Sequence, residues 1–129
     1  MRAIAQTEYG PFAVDLETEE VEPAAVHVAA SKPLNLSLPK VVASAAAGST
    51  VVAVVDRKPP LVVSHDAGIT WRETGGGLPP GYAVAIAEDN PDLIVYASRN
   101  RLHVSTNGGV FWRALSVELP EIEALAVER

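Results

Sequence analysis

The sequence predicts an all-β fold of short antiparallel strands. Three observations carry that reading. Val and Ala dominate, with 18 and 20 copies, and the branched Val side chain suits the pleated surface of a strand. Apolar residues alternate with period two. Ala83-Val84-Ala85-Ile86-Ala87 and Ala124-Leu125-Ala126-Val127 set alanines against larger aliphatics, and Val14-Asp15-Leu16-Glu17 sets apolar against acidic, as in half-buried strands. Ten prolines and nine glycines punctuate the chain roughly every 8–12 residues, the spacing of turns in a sandwich, barrel or propeller. The clearest of these turns are Lys58-Pro59-Pro60, Gly75-Gly76-Gly77, Pro79-Pro80-Gly81 and Asn107-Gly108-Gly109. No window carries a capped helical stripe.

Read in order, residues 2–7, 12–17 and 25–30 form three strands. A repeat then begins. Leu-Pro stands at positions 38–39, 78–79 and 119–120. Each copy leads into a small-residue strand, at 41–47, 82–87 and 122–127. The first two continue into β-rich strands at 51–55 and 94–97, then into third strands at 61–64 and 102–105. Both third strands end in matching octapeptides, Ser64-His65-Asp66-Ala67-Gly68-Ile69-Thr70-Trp71 and Ser105-Thr106-Asn107-Gly108-Gly109-Val110-Phe111-Trp112. The two tryptophans of the chain thus occupy the same place in the repeat, and each is followed by arginine, Arg72 and Arg113.

The octapeptide resembles the Asp-box, or BNR repeat, S-x-D-x-G-x-T-W, of sialidases, sortilin-type receptors and photosystem assembly factors. The first copy matches at Ser64, Asp66, Gly68, Thr70 and Trp71. The second keeps Ser105, Gly109 and Trp112, with Asn107 for Asp and Phe111 for Thr. Ser and Asp or Asn accept hydrogen bonds from nearby amides and so fix a tight turn. Gly admits a backbone conformation closed to other residues, and Trp buries a large surface. The motif is therefore read as a folding device, and no catalytic or metal role is assigned to Asp66 or Asn107.

A repeat of ~40–45 residues with four strands, a to d, fits a β-propeller blade. Residues 40–74 and 81–116 each supply a full set. Residues 121–128 supply one a strand, and the N-terminal segment supplies b, c and d. The chain 1–129 is thus a single three-blade segment, with blades at 38–77 and 78–118 and one blade split between 1–37 and 119–129. Ala43, Ala45, Ala83, Ala85, Ala87, Ala124 and Ala126 fall on the a strands, where blades converge and space is tightest. Propellers have about four to eight blades, and an open half-ring exposes strand edges. The expectation is a homodimer closing a six-bladed ring, with the C-terminal strand of each chain pairing with the N-terminal strand of the other.

Composition limits the function classes. A net charge of −6 disfavours non-specific nucleic-acid binding. No apolar run reaches the ~18 residues of a membrane span, and the N-terminus lacks an apolar leader, so a cytoplasmic location is expected. The chain has no cysteine, hence no thiolate site or Cys nucleophile. His27, His65 and His103 do not show metal-ligand spacing. Glu17, Glu19, Glu20 and Glu22 read as a solvated turn. No metal or cofactor is expected, and no nucleophile elbow or nucleotide fingerprint is present. Four of the ten basic residues cluster in the b–c loops, Asp56-Arg57-Lys58-Pro59-Pro60 and Ser98-Arg99-Asn100-Arg101. The planar fork of arginine suits carboxylate and phosphate. Arg57, Lys58, Arg99 and Arg101 are therefore candidate ligands for an anionic small molecule, a carbohydrate or an acidic protein surface. The resulting reading is a non-catalytic binding or scaffold module. The alternative that the resemblance implies is a sialidase-like glycoside hydrolase or a fragment of one, although Tyr9, Tyr82 and Tyr96 lack an evident Glu partner.

Overall fold

The computed structural model describes residues 1–28 and 41–128. These form three four-stranded antiparallel sheets, with no helix among the described residues. The first sheet joins β1 (Arg2–Thr7), β2 (Gly10–Asp15), β3 (Val21–Pro23) and the last strand, β12 (Ile122–Glu128), in the order β12-β1-β2-β3. The second runs β4 (Val41–Ala47), β5 (Thr50–Val55), β6 (Leu61–Ser64), β7 (Arg72–Thr74). The third runs β8 (Gly81–Ala87), β9 (Asn90–Ser98), β10 (Arg101–Ser105), β11 (Arg113–Glu118). The chain is all-β, and its three sheets are three propeller blades.

The structure departs from the sequence expectation in three places. The third strand of the first sheet is Val21–Pro23, not residues 25–30: Ala25 to Val28 carry no strand, and residues 29 and 30 lie outside the described residues. The Asp15 carboxylate causes this shift. It accepts the Glu17 and Thr18 amides at 2.8 and 2.9 Å, Glu19 takes a φ of +62°, and the chain has reversed by Val21. For the same reason β2 ends at Asp15 rather than residue 17. Finally, β12 pairs with β1 of its own chain, from Arg2 opposite Glu128 to Thr7 opposite Ile122. The Arg2 Nε–Glu128 Oε1 hydrogen bond, at 2.6 Å, fastens the open end of that pairing. The split blade is therefore complete within one chain.

The third sheet is the centre of the molecule. Period-two alternation sends its side chains to both faces. Ala83, Ala85, Ala87, Val95 and Leu102 pack toward Ala3, Ala5, Val14 and Leu125 of the first sheet. Val84, Ile86, Ile94 and Tyr96 pack toward Val52, Val54, Leu61 and Val63 of the second. The first and second sheets do not pack extensively against each other. Burying such aliphatics contributes about 1.5–3 kcal/mol each, so both interfaces depend on the central sheet.

One aromatic cluster locks the central sheet to the second. Tyr96 is fully buried, its hydroxyl donates to the Pro79 carbonyl at 2.7 Å, and Trp112 meets its ring edge-on at 6.3 Å. Gly81 lies against the ring so closely that a Cβ there would stand 2.1 Å from its atoms. His103, 5.7 Å from Tyr96, is 4% exposed. Its Nε2 lies 3.2 Å from Ser98 Oγ, and its Nδ1 has no hydrogen-bond partner among the described residues. Burial, with Arg101 nearby, holds the imidazole below the usual histidine range, in the neutral form.

Polar contacts fasten two of the three turns between third and fourth strands onto the blade next to them. In the third sheet's turn, the Gly109 carbonyl accepts from Thr74 Oγ1 of β7, and Trp112 Nε1 donates to the same hydroxyl at 3.0 Å. In the first sheet's turn, Glu19 accepts the Ser116 amide and hydroxyl at 2.5 and 3.0 Å, and the Leu16 carbonyl accepts from Arg113 at 2.8 Å. The glutamate run expected to be only solvated thus supplies an inter-blade contact through Glu19. Glu22 also pairs with Arg2, at 3.2 Å.

Two measurements check this packing. Gly81→Ala forces a methyl into the Tyr96 ring, so it lowers stability by about 1–3 kcal/mol or more, read as a lower urea midpoint at unchanged slope. The neutral His103 makes stability fall as pH drops from the ordinary histidine value of 6.5. Below that value the unfolded chain gains a proton that the folded chain refuses. Thermal melts between pH 8 and 5 show this decline, His103→Leu flattens it, and exposed His27→Gln leaves it in place.

Candidate functional site

Three regions could carry function: the octapeptide turns, the loops bearing the basic residues, and the groove between the inner strands. In the first turn Asp66 is an acceptor hub. Its Oδ1 takes hydrogen bonds from Ser64 Oγ at 2.7 Å and the Thr70 amide at 2.8 Å, and its Oδ2 takes one from Thr70 Oγ1 at 2.5 Å. Ser64 Oγ accepts the Gly68 amide at 2.8 Å, and Gly68 holds a φ of +91°. These donors favour the ionised carboxylate and hold Asp66 down at about 2. Asn107 repeats the pattern with its amide oxygen, accepting from Ser105 Oγ and the Phe111 amide, both at 3.0 Å. Phe111 brings no hydroxyl. All these acceptor positions are used inside the turn, which is the work of a fold-fixing device. Asp15, with no octapeptide around it, plays the matching part in the first sheet and is likewise held below its usual range by the Thr18 and Glu17 amides.

The b–c loops and d–a connections share one end of the blades. The Asn100 and Arg99 carbonyls accept the Leu119 and Ile122 amides at 2.9 and 2.8 Å, tying one loop to the next connection. Arg57, Lys58, Arg99 and Arg101 all stand at this end, the first two on the second sheet and the last two on the third. Each arginine faces an acidic residue. Arg57 is 3.9 Å from Glu73, Arg99 is 4.0 Å from Glu121, and Arg101 is 2.9 Å from Glu118. Exposed pairs of this kind contribute about 0–1 kcal/mol each, so they orient the guanidinium groups with little effect on stability. Sequence reading could not find these partners, because the acids lie on strand d or the next connection. Lys58 has no acidic partner among the described residues. It stands at the edge of a hollow of about 390 Å³ walled by Pro59, Pro60, Leu78, Pro79 and Pro80.

The larger hollow was not foreseen. A groove of about 600 Å³ runs between β4, β8 and β12, floored by small residues such as Ser44, Ala46 and Ala126 and ending at Glu88, Asp89 and Glu128. A separate hollow of about 100 Å³, sharing Ser44, Val84 and Leu125 in its lining, lies beside Val42, Tyr82 and Glu123. The alanine content of the a strands was the available signal, since small side chains leave this space. Among the described residues no group of three or more His, Cys, Asp or Glu could hold a metal ion. No described helix is long and apolar enough to cross a membrane.

Comparison with known proteins bears on the fold. No protein-family model matches the chain, and no curated protein matches it. Among solved structures the chain is similar to the GH74 enzyme of Niastella koreensis, with 21% identity and a TM-score of 0.50. The match covers 92% of this chain and 18% of that one, so the chain spans under a fifth of that structure. At this identity the likeness supports a propeller-type repeat fold.

Proposed function

We propose that the chain is a non-catalytic propeller module that binds an anionic ligand at its b–c loop face, with Lys58 as the central cation and Arg57, Arg99 and Arg101 beside it. The supporting observation is the placement of Lys58. An ammonium group without an acidic partner among the described residues lines an apolar, proline-walled hollow, and a small-molecule site combines apolar walls with a few polar anchors. The ligand this suits carries a carboxylate or phosphate on a compact apolar or sugar body, free in solution or on an acidic protein surface. The carboxylates whose proton affinity is displaced, Asp15, Glu19 and Asp66, are all displaced downward by hydrogen bonds. Glycoside hydrolysis needs a carboxylic acid displaced upward, so these three do not supply it.

A thermal-shift screen with sugar acids, phosphorylated sugars and small aromatic carboxylates tests the reading. Stabilisation by a binder at one hundred times its Kd is about 2.7 kcal/mol and weakens with added salt. Lys58→Ser removes the shift. The triple variant Arg57→Ser, Arg99→Ser, Arg101→Ser reduces it while changing the ligand-free melting point little. The reading fails if no anion shifts the melt. Turnover of a fluorogenic glycoside or sialoside panel would favour the hydrolase alternative instead.

A further inference from the structure

We infer, building on the anion-binding role proposed above, that the ligand taken at Lys58 is a small aromatic monocarboxylate. Its ring lies between two proline walls, and its carboxylate meets the Lys58 ammonium group.

The walls of the hollow come from two separate stretches of chain. One is Pro59-Pro60, at the end of the loop between β5 and β6. The other is Leu78-Pro79-Pro80, in the connection from β7 to β8. Both stretches are tied to the fold through their backbones. The Pro60 carbonyl accepts the Val55 amide at 2.8 Å, and the Leu78 amide donates to the Gly75 carbonyl at 3.1 Å. The Pro79 carbonyl accepts the hydroxyl of buried Tyr96 at 2.7 Å. The prolyl rings further fix φ along both walls. Walls held in place before a ligand arrives lower the ordering cost of binding.

The chemistry of the lining selects the body of the ligand. Lys58 carries the one polar side chain among the described residues that line the hollow. Four of those residues are prolines, which have no N–H to offer, and the Leu78 amide is already used. A sugar brings several hydroxyls. Those turned toward these walls lose water and gain no partner, which disfavours a sugar body. A flat aromatic ring brings no such groups. Prolyl rings and aromatic faces are also matched surfaces, since proline-rich segments dock in aromatic-lined grooves; here the two roles are exchanged. The volume of about 390 Å³ falls within the range of small-molecule sites.

The cations select the charge. A single ammonium is a compact point charge and balances one carboxylate. A phosphate dianion offers more acceptors and is best served by the bidentate fork of arginine. The guanidinium next in sequence, Arg57, faces Glu73 at 3.9 Å. Arg99 and Arg101 stand on the third sheet opposite acids of their own. The hollow itself therefore matches a monoanion.

Calorimetric titration at low salt with naphthoate, its fully hydrogenated counterpart, glucuronate and naphthyl phosphate tests the inference. Naphthoate is expected to bind about tenfold more tightly than each of the other three. Lys58→Ser weakens naphthoate by about tenfold or more. The double variant Pro79→Ala, Pro80→Ala, at two exposed residues, weakens naphthoate and leaves the binding of glucuronate as it was. Should that variant fold poorly, nuclear Overhauser contacts between naphthoate ring protons and prolyl protons of the unaltered chain report the same placement. Glucuronate or naphthyl phosphate binding as tightly as naphthoate overturns the inference and leaves the anion-binding role standing. Equal affinity for the hydrogenated acid overturns the part given to the aromatic face. Naphthoate binding that Lys58→Ser does not weaken overturns the placement in this hollow. Absence of binding by all four overturns the inference and the anion-binding role together.

Discussion

Apolar packing on both faces of the central sheet is the constraint on which the rest of the structure depends. Ala83, Ala85 and Ala87 face one neighbour while Val84 and Ile86 face the other. The two flanking sheets share no comparable interface, so each is held by the sheet between them. Alternation along β8 does more than make an amphipathic strand. Its alanine side admits the close approach of Ala3 and Ala5, and its bulkier side fills the space beside Val52, Val54 and Leu61. The spacing of the blades is thereby written into the size difference between alternate residues of one strand.

Polar chemistry is placed at the rims of this apolar stack. Asp15, Asp66 and Asn107 each gather backbone amides within a reversal of the chain. The turns so formed then reach the next blade through Gly109, Trp112 and Glu19. An exposed carboxylate in such a turn forgoes little hydration, because the amides it accepts replace water as donors. The two carboxylates are held below their usual range by these donors. Lys58 and the three arginines stand at the opposite end of the blades, in or beside the b–c loops.

Much of the architecture was legible in the sequence because it is local. Period two, the glycine and proline turns and the repeated octapeptide each lie within a few residues, and they located nine of the twelve strands, give or take their ends, and counted two more, the outer strands of the second and third sheets. The third strand of the first sheet was misplaced because its signal was a side chain, Asp15, folding back on two amides in a run that otherwise looks like plain charge. The pairing of β12 with its own β1 was not legible either. Strand sequences state that they need a partner, not which copy supplies it. At the candidate site, the position of Arg57, Lys58, Arg99 and Arg101 on one loop face followed from strand parity. The acids opposite the arginines did not, since Glu73, Glu118 and Glu121 come from other strands and connections. The proline-walled hollow and the groove between inner strands are products of tertiary spacing, and only the alanines hinted at the second.

The pairing of the two chain ends has a consequence for biosynthesis. β1 is made first and β12 last, and the bond from Arg2 to Glu128 spans 126 positions. During translation β1 to β3 emerge as a three-stranded fragment with one ladder unmade, while the second sheet and then the third complete themselves in order. The first blade therefore waits for β12 before its hydrogen bonds are satisfied. Contacts this distant in sequence make folding slow relative to chains held by local ones. Throughout that interval the free edge of β1, rich in buried-type residues, is the surface most in need of protection from other nascent chains.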